Sequence, residues 1–196
     1  MTIAIDMDGV LSRFEEAFGR ALLGLYPDAK RLPCPNWDTV GWDITPEQVD
    51  AVWAVIKATE NFWLTLSPYS DSIQSLKTFL RKHSGLDICF LTSRVKTAGQ
   101  SVSIQTEEWL RQQGISTEAY PQHVLYVVRR SANSKAKWLA KNDAWYMIDD
   151  KAETVEQINN TVATCIPYLL KRPWNEHAWD KVLTVNNLGD FFKIVA

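Results

Sequence analysis

Four acidic residues, two hydroxyls and a lysine stand in this chain where short apolar runs end or helices begin. Thr2–Asp6 (TIAID) runs into Met7-Asp8-Gly9, Asp87–Thr92 (DICFLT) into Ser93-Arg94, and Trp145–Asp149 (WYMID) into Asp150. Lys135 lies between the last two, at the opening of a helical stretch. Brought to one rim, these groups suit phosphoryl transfer. A phosphate monoester repels an attacking carboxylate, so a divalent cation must bridge the two charges. Asp6 can supply the nucleophilic oxygen and form an acyl-phosphate that water later cleaves. Asp8, two positions along an extended chain, has its side chain on the same side. It can protonate the leaving oxygen and then activate water. Asp149 completes an oxygen-rich shell of the kind magnesium prefers. The Thr92 or Ser93 hydroxyl, backbone N–H groups and the Lys135 ammonium can hold the phosphate oxygens as charge shifts.

Plainer roles compete for each residue. DxDG also opens calcium loops, but there further acids follow closely, and here Val10-Leu11 follows instead. Asp6 and Asp8 can serve solubility or capping, and Thr92 can cap the next segment. Of Asp149 and Asp150, one acid ligates metal while the other orients a lysine or a backbone group; Asp149 is expected to be the ligand and Asp150 the support. Lys135 competes with Lys137 and Lys141, and placement at a helix start, which itself favours phosphate, selects Lys135. Arg94 and Lys96 are either solvated loop charges or contacts to the phosphate. Arg172, in KRPWN, either crosses the site mouth or sits on the surface.

Ligands of open α/β sheets bind beyond the carboxyl ends of the strands, so these residues need a parallel sheet to converge. Besides the three runs above, His123–Val128, Val162–Ile166 and Lys181–Val185 are strand-like. Helical period appears over Ser70–Lys82 (Ile73, Leu76, Phe79, Leu80) and Ile104–Gln113 (Ile104, Trp109, Leu110), the latter stopped by Gly114. Asn133 or Ser134 is expected to cap a helix reaching Asn142. This alternation predicts a Rossmann-like open parallel sheet flanked by helices. Residues 13–67 break the rhythm. They hold helical Phe14–Leu25, a second helix from Pro46 to Lys57 capped by Thr45, and the Pro- and Trp-rich LPCPNWDTVGWD between them. The division predicted is a core of residues 1–12 and 68–196 with a small helical cap, 13–67, inserted after the first strand.

Bulk properties narrow the partners. The 196 residues are 46% hydrophobic and 22% charged, which suits one globular domain with a modest insertion. A net charge of −2 provides no general attraction to nucleic acid or an anionic membrane. Cys34, Cys89 and Cys165 lack metal-site spacing and read as free thiols, the last two as buried filler. No apolar run reaches bilayer length, and the strand-like start leaves no room for a signal peptide, so cytoplasm is the expected location.

IAIDMDGVL, LTSR, Lys135 and MIDD, in that order, resemble the four motifs of the haloacid dehalogenase-like (HAD) phosphatases over nearly the whole chain. The resemblance implies that Asp6 is the nucleophile and Asp8 the general acid/base. Thr92 would then bind phosphate, Lys135 be the motif lysine and Asp149 a Mg2+ ligand, with the Asp8 backbone carbonyl on the metal as well. Within HAD the chain looks most like the 5'(3')-deoxyribonucleotidases, through DMDGVLSRF, ENFWLTLSP, LTSRVK and LLKRPWN. That family implies a deoxynucleoside monophosphate substrate, base-stacking aromatics from the cap (Phe18, Phe62 and Trp63 by position) and a homodimer. The runner-up is the same chemistry on a sugar phosphate or another small metabolite. Nucleic-acid ends are disfavoured by the acidic balance, and a non-catalytic scaffold by the completeness of the motif set.

Overall fold

The computed structural model describes residues 1–32, 41–116, 123–127 and 132–196. In chain order its elements are β1 (Thr2–Ile5), α1 (Phe14–Leu25), α2 (Pro46–Ala58), α3 (Ser70–Lys82), β2 (Asp87–Thr92) and α4 (Val102–Gln112). There follow β3 (His123–Val127), α5 (Ala132–Lys141), β4 (Ala144–Asp149), α6 (Ala152–Thr161), β5 (Ile166–Leu170), β6 (Thr184–Val185) and α7 (Leu188–Val195). The strands form one sheet in the order β3-β2-β1-β4-β5-β6, and every pair in it is parallel. This is the α/β architecture expected from strand–helix alternation.

Period-two alternation explains why the central strands are apolar throughout. Ile3 and Ile5 of β1, Ile88 and Phe90 of β2 and Ile148 of β4 enter one core with residues of α3, α4 and α7. Their neighbours Ala4, Cys89, Leu91 and Met147 enter a second core with Ala136 and Leu139 of α5 and Ile158 of α6. A strand buried on both faces has no polar side to present to water until it ends. Ile5 pairs with Phe90 on one side and Ile148 on the other, so Asp6 and Asp149 lie level at their strand ends and Thr92 stands one residue further along. The ladder goes one step further, Asp6 N–H donating to the Ile148 carbonyl at 3.0 Å.

Residues 13–67 supply α1, α2 and a 3-10 turn at Phe62–Thr65. Helix α2 starts in a full capping box: Gln48 N–H donates to the Thr45 hydroxyl and the Gln48 side chain accepts from Thr45 N–H. Phe14 stacks on Trp53 at 5.5 Å and meets Phe62 edge-on at 6.4 Å. These rings join the same core as Ile3 and Ile5, so the segment packs continuously onto the sheet's first face.

Several boundaries differ from expectation. The fifth strand is Ile166–Leu170, not Val162–Ile166. Val162 and Cys165 face inward after α6, Val162 N–H closing that helix on Ile158, so their apolarity belongs to a helix end and turn. Pro167 is tolerated inside β5 because β6 pairs only with Leu169 and Leu170. The sixth strand is Thr184–Val185 rather than Lys181–Val185. Helix α4 begins at Val102, capped by Ser101, and turns Gln105, Thr106, Trp109 and Leu110 inward while Ile104 stays half exposed. Gly114 does end it, at φ +72°. Helix α5 begins at Ala132, ahead of the expected cap residues. Cys89 and Cys165 are buried, which pushes both thiols up to about 12; Cys34 lies outside the described residues. Among the described residues no helix is long and apolar enough to cross a membrane.

Candidate active site

At the carboxyl ends of β1 and β4, three acids surround one lysine. Lys135 Nζ lies 2.9 Å from Asp6 Oδ1 and 2.7 Å from Asp149 Oδ2, with both carboxylates and the ammonium nearly sealed from solvent. The second Asp149 oxygen accepts from Lys151 N–H at 2.8 Å. Asp150 Oδ2 accepts from the Trp174 indole at 2.9 Å, while Asp150 Oδ1 is buried with no hydrogen-bond partner. Asp6, Asp149 and Asp150 each offer one oxygen within 4.8 Å of the others. Lys137 is exposed, so among the lysines considered it is Lys135 that reaches the acids.

The charges do not balance. Burial pushes the Asp6 carboxyl up to about 7; Lys135 opposes this and the Asp149 and Asp8 charges add to it. Asp150 is raised well above the carboxylate range by burial and then by Asp149 and Asp6. Burial works against the Lys135 ammonium, yet Asp149 and Asp6 outweigh it and raise its pKa. Three buried acids against one ammonium leave room for another cation, and an all-carboxylate set is hard-oxygen chemistry. The partnerless Asp150 Oδ1 is what such an ion would satisfy, so the residues fit a divalent metal.

The turn after β1 shapes the rim. Gly9 N–H donates to the Ser12 carbonyl at 2.8 Å, and Gly9 has φ +83°. A Cβ there would lie 2.0 Å from Asp150 Oδ2, so only glycine lets the loop pass the acid. Arg172 crosses to this loop: its Nε donates to the Gly9 carbonyl at 2.7 Å and its guanidinium lies 4.1 Å over the Tyr69 ring. Tyr69 in turn donates to Glu15.

Asp8 stands outside the acid trio and has its own partners. Arg94 Nε donates to Asp8 Oδ2 at 3.0 Å and Nη2 to Oδ1 at 2.8 Å, and the Ser12 hydroxyl donates to Oδ1 at 2.7 Å. Arg94, weighed above as a solvated charge or a phosphate contact, is buried and spent on this pair. Thr92 Oγ1 is buried and has no partner, as suits an oxygen kept for an incoming group. Ser93 is half-buried and Lys96 exposed.

Phe18, Phe62 and Trp63, expected to face a base, are instead 0%, 5% and 2% exposed. They pack on Phe14 and on one another, and the Trp63 indole donates to the Val95 carbonyl at 2.9 Å. Aromatics between a helix and a strand have filled the core rather than lined a pocket. Residues that sequence reasoning passed over are Ser12, Thr106 and Trp174. Ser12 and Trp174 carried a signal, lying within the DMDGVLSRF and LLKRPWN segments, whereas Thr106 carried none.

The family described as 5' nucleotidase, deoxy (pyrimidine), cytosolic type C protein matches residues 1–195 of the chain. No curated protein matches it. Among solved structures, a haloacid dehalogenase-like hydrolase from Streptococcus pneumoniae aligns at a TM-score of 0.61 and 10% identity, covering 100% of this chain and 98% of that one. A HAD-family hydrolase from Deinococcus radiodurans, with bound phosphate and sodium, aligns at 0.58 and 13% identity over 99% and 93%. A HAD-superfamily hydrolase of subfamily IA from Geobacter sulfurreducens aligns at 0.55 and 12% identity over 100% and 96%. At these identities the structures establish a shared fold.

Proposed function

The chain belongs to the deoxy (pyrimidine) type C 5'-nucleotidase family of HAD-like hydrolases, and on that premise we propose that it is a Mg2+-dependent phosphatase acting through an aspartyl-phosphate on Asp6. The observation that carries this is the buried group of Asp6, Asp149 and Asp150 around Lys135, beside the partnerless Thr92 hydroxyl.

Asp6 attacks phosphorus as the ester P–O bond breaks, and Asp8 gives its proton to the departing oxygen. Asp8, now a carboxylate, takes a proton from water, whose oxygen attacks phosphorus and frees Asp6 and inorganic phosphate. Lys135 steadies Asp6 and the transferring oxygens, and Thr92, with Ser93 and backbone N–H groups, holds the phosphate as its charge redistributes. Asp6, Asp149, the backbone carbonyl of Asp8 and the partnerless Asp150 Oδ1 would hold the magnesium. When bound, that ion offsets the charge of the phosphate and the attacking carboxylate.

Residues 13–67 are the cap over this rim, and the substrate is a deoxynucleoside monophosphate. A second reading, a sugar phosphate or other small phosphate ester, draws on the burial of Phe18, Phe62 and Trp63, which leaves little ring face for a base. Phosphate release is to be measured on deoxy- and ribonucleotides, 3' and 5' esters, sugar phosphates and a phosphorylated oligonucleotide, with and without Mg2+. Release concentrated on deoxynucleotides and abolished in Asp6→Asn upholds the reading. Release from sugar phosphates alone keeps the chemistry and replaces the substrate. No release from any ester overturns the function.

A further inference from the structure

Arg94 follows the phosphate-side hydroxyls by one residue, yet it does not face the rim. Its side chain is 0% exposed, whereas that of Asp8 is 14% exposed. Three of its nitrogens have separate fixed partners. Nε and Nη2 form a two-pronged contact with the two Asp8 oxygens. Nη1 donates to Thr106 Oγ1 at 3.0 Å, and that hydroxyl is oriented by donating to the Val102 carbonyl at 2.7 Å. The guanidinium lies 4.8 Å over the Trp63 ring. Trp63 is itself pinned, its backbone N–H by Gln105 Oε1 at 3.0 Å and its indole by Val95. Asn61 N–H donates to the Ala98 carbonyl and Gln100 N–H to Asn61 Oδ1, so the loop after β2 and the Phe62–Thr65 turn hold each other.

The geometry points to Arg94 as the positioning residue for Asp8: its fork fixes the plane of the acid/base carboxyl, and Thr106 and Trp63 fix the fork. An ion pair placed only for stability is poorly explained here, because taking both charges from water costs solvation, a penalty that apolar packing would avoid. Two parallel N–H···O contacts set direction as well as charge. The negative charge that forms on Asp8 as its proton leaves meets donors already in place, which is how preorganised groups lower a barrier. The inference rests on the proposed role of Asp8 as general acid/base.

The test compares kcat/KM for a deoxynucleoside monophosphate and for 4-nitrophenyl phosphate in the parent, Asp8→Asn, Arg94→Lys and Arg94→Met. This ratio reports steps up to departure of the leaving group. Nitrophenolate leaves without a proton; an alkoxide does not. Loss of a general acid therefore costs the nucleotide roughly 10²–10⁴-fold and largely spares the aryl ester. Arg94→Met is expected to show the same selective loss, and Arg94→Lys most of it, since an ammonium cannot make the fork. A merely structural role would lower both substrates alike, and a phosphate contact would raise KM for both; either result, or no loss, overturns the inference. Should Arg94→Met fail to fold by circular dichroism, Thr106→Val removes one Arg94 hydrogen bond and leaves the ion pair. It should lose about fivefold on the nucleotide alone, and an equal loss on both esters overturns the inference. A parent inactive on both esters, or an unselective Asp8→Asn, would instead sink the functional reading. Selective Asp8→Asn with unselective Arg94→Met would sink this inference alone.

Discussion

Replacing Lys135 by Met removes the ammonium that lies 2.9 Å from Asp6 and 2.7 Å from Asp149 and keeps most of the stem volume. The cavity penalty is then small, so the change reads out electrostatics. Asp6 and Asp149 are left buried beside Asp150 with no cation. Breaking a buried pair by removing one partner costs about 3–5 kcal/mol, a large share of the roughly 5–15 kcal/mol that holds a domain folded. Urea unfolding of the metal-free protein should therefore show a midpoint shift of that size with an unchanged slope. Asp149→Asn in the same background should recover a good part of it, because one of the stranded charges is gone. Magnesium should stabilise Lys135→Met more than the parent, since the extra negative charge tightens its binding, and at a hundredfold excess over Kd that linkage is worth about 2.7 kcal/mol. A loss under about 1 kcal/mol would refute the buried-charge account. So would a magnesium effect equal in parent and variant, because the acids would not then be sharing one cation site.

Three further outcomes are expected. Gly9→Ala puts an L side chain at φ +83° and 2.0 Å from Asp150 Oδ2. The backbone strain alone is about 1–2 kcal/mol, so the melting temperature should fall and turnover with it; an unperturbed variant would refute the loop geometry. Thr92→Val removes a buried hydroxyl that has no partner, so stability should hold or rise while kcat falls about 10²–10³-fold, and a parallel loss of both would count against a phosphate-facing role. Burial raises the Glu15 carboxyl despite the Tyr69 hydrogen bond. The stability tied to its protonated form is present below its ordinary value of 4.5 and is lost as pH rises through the folded-state value. Glu15→Gln should thus gain on the parent as pH rises above 4.5 in urea titrations, and a difference that stays flat with pH would contradict the shift.

The parts of the fold legible in the sequence were those governed by short-range rules. Apolar runs ending in acids marked β1 and β4, and one ending in hydroxyls marked β2, because strands buried on both faces turn polar only where they emerge. Helical period and caps located α1, α2 and α3 to within about a residue or two, the usual scatter of helix ends. Helix α4 was found but its face was misjudged: Ile104 is exposed, and polar Gln105 and Thr106 are buried because they serve Trp63 and Arg94 across the fold. No periodicity argument sees partners that lie 42 and 12 residues away in sequence.

The same division runs through the site. Residue type and order were enough to mark Asp6, Asp8, Thr92 or Ser93, Lys135 and Asp149 as candidates for one rim, since a parallel sheet must deliver its strand ends to one edge. Which acid takes the lysine, which keeps a free oxygen and which is claimed by an arginine could not be read that way. Those outcomes depend on side chains that burial forces into contact: Trp174 on Asp150, Lys151 N–H on Asp149, and Arg94 on Asp8. Sequence alone made Phe62 and Trp63 equally suited to a ligand and to the core, because aromatic surface serves both, while the helical spacing of Phe18 from Phe14 and Leu22 favoured the core. Only the packing of α1, α2 and the Phe62–Thr65 turn against the sheet decided for the core.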